Sequence, residues 1–336
     1  MKIGYFADGP WAHEALEKII RTPELAVVFI VARFDHADPV LRRFAEQLRV
    51  PFLLSPNVNA PDFIATIRDF QADLLVSMSF NQILRAEILS AAPLGFINCH
   101  AGALPFYRGR NILNWALING EERFGVTVHH VDAGIDTGDI IVQRFAEIAA
   151  HDDYGTLLGK AIALCAAALW EALRLIEQGK APRIPQSTIH PTGFYCSRRG
   201  PGDEWLDWSW PSERVHNFVR AITLPGPGAR TEWGENELAV FQTELIADAP
   251  AYIDKPGTVV GRDIDSVTVK TGDSTIRVTA VAKVAASGNV GEREVPGLPI
   301  GTTLGGGLRA KISRLEQRLQ ALESRLSRAD ATHVHG

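Results

Sequence analysis

The sequence predicts an α/β fold: a Rossmann-like wound sheet, parallel or mixed, followed by a smaller β-rich, open barrel-like domain and a terminal coiled-coil helix. Three observations carry this. Apolar runs alternate with amphipathic helical segments through the first half of the chain, joined by short connections. Past residue 230 the runs become short, evenly spaced and broken by glycines. Beyond Gly305-Gly306-Gly307, Leu308, Ile312, Leu315, Leu319, Leu322 and Leu326 recur at spacings of 4, 3, 4, 3 and 4. The expected division is residues 1–195, 203–303 and 308–329. A helix of fewer than three heptads is marginal alone, so the last segment is expected to pair with a second copy, a dimer as first choice.

Taken in order, residues 2–7 read as a buried strand, and Pro10 opens a helix with Ala15, Leu16, Ile19 and Ile20 on one side. Residues 25–31 form a continuous apolar run suited to a strand covered on both faces. Helix over 38–48, strand over 51–54, helix over 61–70 and strand over 73–78 follow. A helical turn at 86–91 leads to a strand at 95–100 that carries its polar residues at the far end. Helix at 110–119, strands at 126–131 and 140–145, and a long Ala/Leu-rich helix at 152–178 complete the pattern. Residues 182–191, punctuated by prolines, are expected to be extended. A turn-rich join at 198–203 precedes a helix over 212–221 with Ser212 as its cap, a rigid turn at 225–229, and strands at 238–245, 258–260, 266–271 and 275–281.

Composition narrows the function classes. With 336 residues, 46% hydrophobic content and 22% charge, the chain can bury the cores of two domains. A net charge of −5 gives no general attraction to nucleic acid. Cys99, Cys165 and Cys196 are odd in number and far apart, which suits a reducing compartment. The N-terminus enters a strand directly, and no run approaches a membrane span, so a cytoplasmic protein is expected. The first strand-to-helix turn, Ala7-Asp8-Gly9-Pro10-Trp11-Ala12, lacks the glycines of a dinucleotide fingerprint.

The stretch 97–141 concentrates the chemistry. Asn98 and His100, two apart on a strand, project to one side. A loop with two aromatics and a cation follows at Pro105-Phe106-Tyr107-Arg108-Gly109, and an acid-rich turn, Asp132 to Asp139, closes the stretch. Amide, imidazole and carboxylate together can move a proton and stabilise an oxyanion. His capping a strand end is the simpler reading of His100 alone; the neighbouring loop and acids favour a site. No metal is expected: His129 and His130 are adjacent and face opposite sides of a strand, and no helical His pair or Cys pair supports them.

These motifs resemble those of the folate-dependent formyltransferases. The likeness runs through Asn98-Cys99-His100, Leu104-Pro105, Tyr107-Arg108-Gly109-Arg110, Asn114-Trp115, Asn119-Gly120-Glu121, Gly125-Val126-Thr127 and Asp136-Thr137-Gly138-Asp139. It extends to the join Arg198-Arg199-Gly200-Pro201 and to Asp207-Trp208 and His216-Asn217, about residues 1–300 in all. Its nearest echo is the formyltransferase part of the bifunctional enzyme acting on UDP-4-amino-4-deoxy-L-arabinose. One departure is local: the family usually carries Ser-Leu-Leu-Pro after the His, where this chain has Gly102-Ala103-Leu104-Pro105.

The resemblance implies transfer of a formyl group from 10-formyltetrahydrofolate to an amine, with Asn98, His100 and Asp136 as the catalytic trio. In that reading Asn98 and protonated His100 donate to the developing oxyanion while Asp136 keeps His100 charged and helps remove the amine proton. Phe80, Asn81, Gln82, Ile83, Val131, Asp132 and Gly134 are implied to hold the folate, largely by backbone. Tyr107, Arg108, Arg110 and Asn111 are expected to face the acceptor. A tRNA acceptor calls for basic patches, yet residues 196–304 hold 11 Lys/Arg against 15 Asp/Glu. A nucleotide-linked amino sugar, needing only a few cations, is therefore the expected acceptor, with no nucleic acid as partner. Methionyl-tRNA and a small amine such as hydroxyornithine are the alternatives. A formate-releasing hydrolase and a silent scaffold assembled through the coiled coil are the other classes.

Overall fold

The computed structural model describes residues 1–305 together with Leu319 and Gln320. The chain divides into two compact units, Met1–Gly200 and a second from Pro201 onward. The coiled-coil segment expected at 308–329, and the dimer expected through it, lie outside the described residues except at Leu319 and Gln320, which are helical and exposed.

The first unit is built on a seven-stranded sheet. In chain order its elements begin β1 (Lys2–Ala7), α1 (Gly9–Ile20), β2 (Ala26–Ala32), α2 (Pro39–Leu48), β3 (Phe52–Leu54), α3 (Pro61–Asp69), β4 (Leu74–Met78), α4 (Ala86–Leu89) and β5 (Phe96–His100). A two-residue strand β6 (Arg108–Gly109), α5 (Ile112–Ile118), β7 (Arg123–His130), β8 (Ile140–Glu147), α6 (Tyr154–Glu177) and β9 (Tyr195–Cys196) follow. The strand order is β3-β2-β1-β4-β5-β7-β8. The first five strands pair in parallel, whereas β7 and β8 run antiparallel. The order reverses between β1 and β4, and loops leaving the carboxyl ends of β1, β4 and β5 therefore open onto one crevice, the usual place for a ligand in such sheets.

Local sequence explains these elements. In α1, Pro10 lies in the first turn, and Ala12, Ala15, Leu16 and Ile19 recur with helical period and are buried. Asp38 caps α2 by accepting from the backbone of Val40 and Leu41. Phe6, Phe29, Val31, Leu75 and Phe96 meet in a common apolar core with residues of α3 and α4. Each large side chain so buried contributes about 2 kcal/mol. Sequence reading expected no run near a membrane span, but α6, at 24 residues, is long and apolar enough to meet that criterion. It serves instead as a core helix: Leu157, Ala161, Cys165, Leu169, Ala172 and Leu173 are buried, and it packs on α1, β7 and β8.

The second unit holds α7 (Ser212–Ile222), β10 (Ala229–Trp233), β11 (Asn236–Leu245), β12 (Val259–Arg262), β13 (Val267–Lys270) and β14 (Thr275–Val284). The sheet order is β10-β11-β14-β13-β12, all antiparallel. Leu304 bridges to Trp233 while Thr303 bridges to Thr258, so the residues after the last strand touch both edges of the sheet and close it like a barrel. Two expectations change. Strand β10, at Ala229–Trp233, follows directly on the rigid turn expected at 225–229, where no strand was expected. Ser212 is the first helical residue rather than the cap, and its hydroxyl bonds to Thr271 and Asp273 on the neighbouring loop.

Candidate active site

Asn98 and His100 end β5, and the antiparallel pairing with β7 sets His129 directly opposite Asn98. The turn after β7 brings back Asp136, held in the left-handed region at φ 55°. Asp136 Oδ2 lies 3.7 Å from His100 Nδ1 and accepts from the Gly109 backbone N–H at 2.9 Å; its Oδ1 lies 3.6 Å from His129 Nε2. Asn98 Nδ2 is 3.3 Å from the same His129 Nε2. His129 is 2% exposed and His100 8%, so this is an interior network.

Its tautomers follow from its partners. His100 Nε2 is 2.7 Å from the Tyr107 carbonyl, which can only accept, so Nε2 carries the hydrogen. Likewise His129 Nδ1 donates to the His130 carbonyl at 2.8 Å. The neutral rings therefore turn lone pairs, His100 Nδ1 and His129 Nε2, toward one carboxylate. Burial lowers the pKa of His100, and the Asp136 charge and the Tyr107 carbonyl offset this only partly. For Asp136, burial works toward a higher pKa, but His100, His129 and the Gly109 N–H outweigh it and hold the carboxyl well below the usual carboxylate range. A carboxylate flanked by two lone pairs is an environment that gains stability by taking up a proton. Asn98, held by His129, can turn an amide hydrogen toward a carbonyl oxygen.

This network lies in the wall of a cavity of about 930 Å³. Along one side run Phe80, Asn81, Gln82, Ile83 and Leu84, with Val131, Gly134 and Ile135. Asp132 turns away: its Oδ1 accepts from the Gly134 N–H and the Thr137 hydroxyl. The other side holds Arg110, Asn111, Tyr195, Arg198 and Arg199. They converge because β9 pairs with β6, setting Arg108 beside Tyr195 and Gly109 beside Cys196, while the Arg199 N–H reaches Asn111 Oδ1 at 2.9 Å.

Of the four residues expected to face the acceptor, Arg110 and Asn111 line the cavity, and Tyr107 and Arg108 do not. The Tyr107 hydroxyl donates to Glu121 at 2.5 Å and accepts from Asn119 at 3.1 Å. The Arg108 guanidinium donates through Nε and Nη2 to Gln186 Oε1. Gln186, in a 3-10 turn within a segment expected to be extended, also donates to the Asp136 and Gly138 carbonyls, both at 2.9 Å. Ser79, Asn111 and Asp136, all lining the cavity, have positive φ, a concentration of backbone strain around it.

Sequence reasoning gave His129 only a supporting role and missed Gln186, Arg198 and Arg199 as parts of this region. Only His129 left a local signal, an imidazole on a strand close to Asp136; its register against Asn98 is a long-range fact. His130 points elsewhere: its Nε2 is buried without a partner, and burial with the Arg183 charge lowers its pKa to about 4. Among the described residues, no group of three or more His, Cys, Asp and Glu is placed to hold a metal ion.

Residues 23–173 match the formyl transferase family and residues 200–287 the formyl transferase C-terminal domain. The methionyl-tRNA formyltransferase of Desulforamulus reducens is 34% identical over 286 residues, 83% of this chain and 89% of its own length. The N-formyltransferase from Helicobacter canadensis, solved with folinic acid and dTDP-3-aminofucose, superposes with a TM-score of 0.60 at 17% identity, over 83% of this chain and 99% of that one. HypX from Aquifex aeolicus, solved with tetrahydrofolic acid, gives a TM-score of 0.58 at 18% identity over 84% of this chain; the chain spans only 44% of HypX. At such identities the solved structures speak for the fold, while the two domain matches and the 34% identical relative speak for kinship. The chain is a formyltransferase and belongs to the folate-dependent formyl transferase family.

Proposed function

We propose that the chain transfers the formyl group of 10-formyltetrahydrofolate to the primary amine of a nucleotide-linked amino sugar, with Asn98, His100 and Asp136 as its working residues. The observation that carries this reading is the Asp136 carboxylate, flanked by His100 and His129 beside the Asn98 amide, in one cavity with a rim of arginines.

The residues suit the donor. Ile83 is 69% exposed and Ile135 53%, so two apolar side chains stand open at the cavity edge, beside Phe80, Leu84 and Val131. The side chain of Gln82 is occupied by Val58 and Ser55, and that of Asn81 bonds to Asp35. That leaves backbone groups, apolar surface and the Asn81 Oδ1, which has no partner among the described residues, fitting a flat heterocycle with polar edges. When bound there, 10-formyltetrahydrofolate would supply the formyl carbon that an amine attacks.

The chain's own part is electrostatic and protonic. Asn98 donates an amide hydrogen to the formyl oxygen as negative charge grows on it. His100 Nδ1 takes the proton that the amine sheds, and Asp136 stabilises the imidazolium so formed. As the bond from the formyl carbon to the donor nitrogen breaks, that proton would pass to the departing nitrogen and return His100 to its starting form. This reading departs from the expectation from sequence: burial lowers the pKa of His100, which favours a neutral ring that works first as a base, with its Nε2–H on the Tyr107 carbonyl. His129 holds Asn98 in orientation and shares the charge of Asp136.

For the acceptor, Arg110 and Arg198 line the cavity, and their side chains have no hydrogen bond or ion pair among the described residues; the Arg110 backbone N–H is held by the Cys196 carbonyl. Two free guanidinium groups near the amine-binding end suit a diphosphate. Arg33, the cation after β2, is tied to Asp35 at 2.7 Å and to Asp8 at 3.4 Å, which leaves no basic platform there for a polynucleotide. Methionyl-tRNA is the second reading, favoured by the name of the Desulforamulus reducens relative and its coverage of both units. Incubating the protein with 10-formyltetrahydrofolate, a panel of nucleotide amino sugars and methionyl-tRNA separates the two. A formylated nucleotide sugar supports the first reading, and formylation of methionyl-tRNA alone replaces it with the second. No turnover with any acceptor overturns both.

A further inference from the structure

The turn that carries Asp136 holds an awkward shape. Asp136 stands at φ 55°, a region that residues with side chains seldom adopt, so contacts must keep it there. Its carboxylate takes a hydrogen bond from the Gly109 N–H at 2.9 Å and faces His100 and His129 at 3.7 and 3.6 Å, longer than hydrogen bonds. The side chain alone therefore does not fix the turn. Gln186 reaches the main chain of the same turn.

Gln186 is 5% exposed, and its side chain is fully engaged. Nε2 donates its two hydrogens to the Asp136 and Gly138 carbonyls, both at 2.9 Å. Oε1 accepts from Arg108 Nε at 3.2 Å and from Nη2 at 2.6 Å. Carbonyls on one side and a guanidinium on the other admit the amide one way round only. Its backbone is anchored as well. Two residues earlier, Ile184 exchanges backbone hydrogen bonds of 2.8 and 3.1 Å with Ile140, the first residue of β8, and the Ile189 N–H returns to the Gln186 carbonyl at 3.1 Å.

These contacts close a ring. Gly109 grips the Asp136 carboxylate, the adjoining Arg108 grips the Gln186 amide, and that amide grips the Asp136 main chain. Without the amide, two inward carbonyls lose their donor, and the turn must rotate to find others. That rotation carries the carboxylate away from His100.

We propose that Gln186 is a positioning residue of the reaction: its amide holds the Asp136 turn so that the carboxylate stays between His100 and His129. Gln186 does not line the cavity and acts through Asp136. This rests on Asp136 and His100 acting in formyl transfer, as proposed above.

The test is a double-mutant cycle with pH profiles on the full-length protein. Gln186→Met keeps the length of the side chain and removes its hydrogen bonds. It is expected to lower kcat about tenfold to a hundredfold, the scale of a misplacement of an ångström or less, while KM for the folate donor holds. The acid limb of kcat/KM should move to lower pH. His100 is faced by Asp136 and the Tyr107 carbonyl, which raise its pKa, and by His129, which lowers it, and the influence of Asp136 weakens. In an Asp136→Asn background Gln186→Met should cost nothing further, because the carboxylate it positions is gone. Equal loss of kcat in both backgrounds, with the acid limb in place, means a merely structural role and overturns the proposal. Wild-type kcat in Gln186→Met, with Asp136→Asn impaired, overturns the role of Gln186 alone. Near-normal turnover in Asp136→Asn overturns the reading beneath it as well. Should Gln186→Met fail to fold, Gln186→Glu goes through the same kcat cycle: it still accepts from Arg108 but turns an oxygen on both carbonyls, and should lose as much. If neither variant folds, Gln186 serves the fold and the proposal is overturned.

Discussion

The two ends of the cavity are built on opposite principles. At the Asp136 end, the ring nitrogens of His100 and His129, both Asp136 carboxylate oxygens and the Asn98 amide nitrogen each have a protein partner or face one, and His129 and His100 are buried. At the other end, Arg110 and Arg198 are exposed and their guanidinium groups lack partners among the described residues, and Tyr195 is 56% exposed. An interior, self-satisfied network keeps its geometry before any substrate arrives, as electrostatic stabilisation of a transition state requires. An exposed rim acquires its partners from the ligand, so it can be changed without disturbing the chemistry. In the proposed reading, formyl transfer belongs to the first kind of structure and choice of acceptor to the second.

The sharpest way to break that contrast is to cut the buried network. Asn98→Ala, His100→Ala and Asp136→Ala are each expected to lower kcat about a hundredfold or more, with little change in the far-ultraviolet circular dichroism. A variant of this trio that raised KM and spared kcat would mean that the buried end binds rather than reacts.

Next in size is the pH response. Burial places the His100 pKa below its ordinary 6.5, so the ring is neutral at neutral pH. A base at Nδ1 loses function as pH falls through that lowered value, because the arriving proton occupies the lone pair. The rate should then drop about tenfold per pH unit on the acid side and stay level from neutral upward. Loss of activity as pH rises through the same value would instead make the imidazolium the required form, and His100 an acid. A kcat/KM profile between mildly acidic and neutral pH distinguishes these.

Much of the buried end was legible in the sequence, and the reason is local. Asn98 and His100 are two apart on a strand, so their common direction follows from strand period alone. Asp136 lies in an acid-rich turn directly after a strand. His129 was not legible, because its place opposite Asn98 depends on the register between β5 and β7, a pairing of residues 31 apart. The rim was hidden for the same reason. Arg198 and Arg199 look like part of a domain join until β9 pairs with β6. The wound sheet could be read element by element because each helix carries its own apolar period, whereas β10 followed a Pro/Gly run that conceals where extended structure resumes. Tyr107 and Arg108 were expected at the acceptor because an aromatic and a cation in a loop invite that reading; their partners Glu121 and Gln186 are 14 and 78 residues away.

At the rim the expected effects are smaller and of a different kind. Arg110→Ala and Arg198→Ala should each raise KM for an anionic acceptor about fivefold to tenfold, solvent screening trimming the full worth of a charge-assisted contact. kcat at saturation should hold, and the difference from wild type should shrink in higher salt. Equal loss of kcat in these variants would erase the division between the two ends.

Tyr107→Phe gives the smallest effect and tests where the rim stops. The hydroxyl bonds Glu121 and Asn119 and is turned away from the cavity, and burial followed by the Glu121 carboxylate pushes its pKa up. Removing it deletes the short hydrogen bond to Glu121 and the longer one from Asn119, and leaves Glu121, itself partly exposed, to water. The net cost should be about 1 kcal/mol of stability, or about 2–4 °C in Tm for a unit of this size. The backbone carbonyl that holds His100 is retained, so kcat and the acceptor KM should both stay at wild-type values. A raised acceptor KM with an unchanged Tm would return this hydroxyl to the substrate, and would extend the rim across the loop that the structure assigns to support.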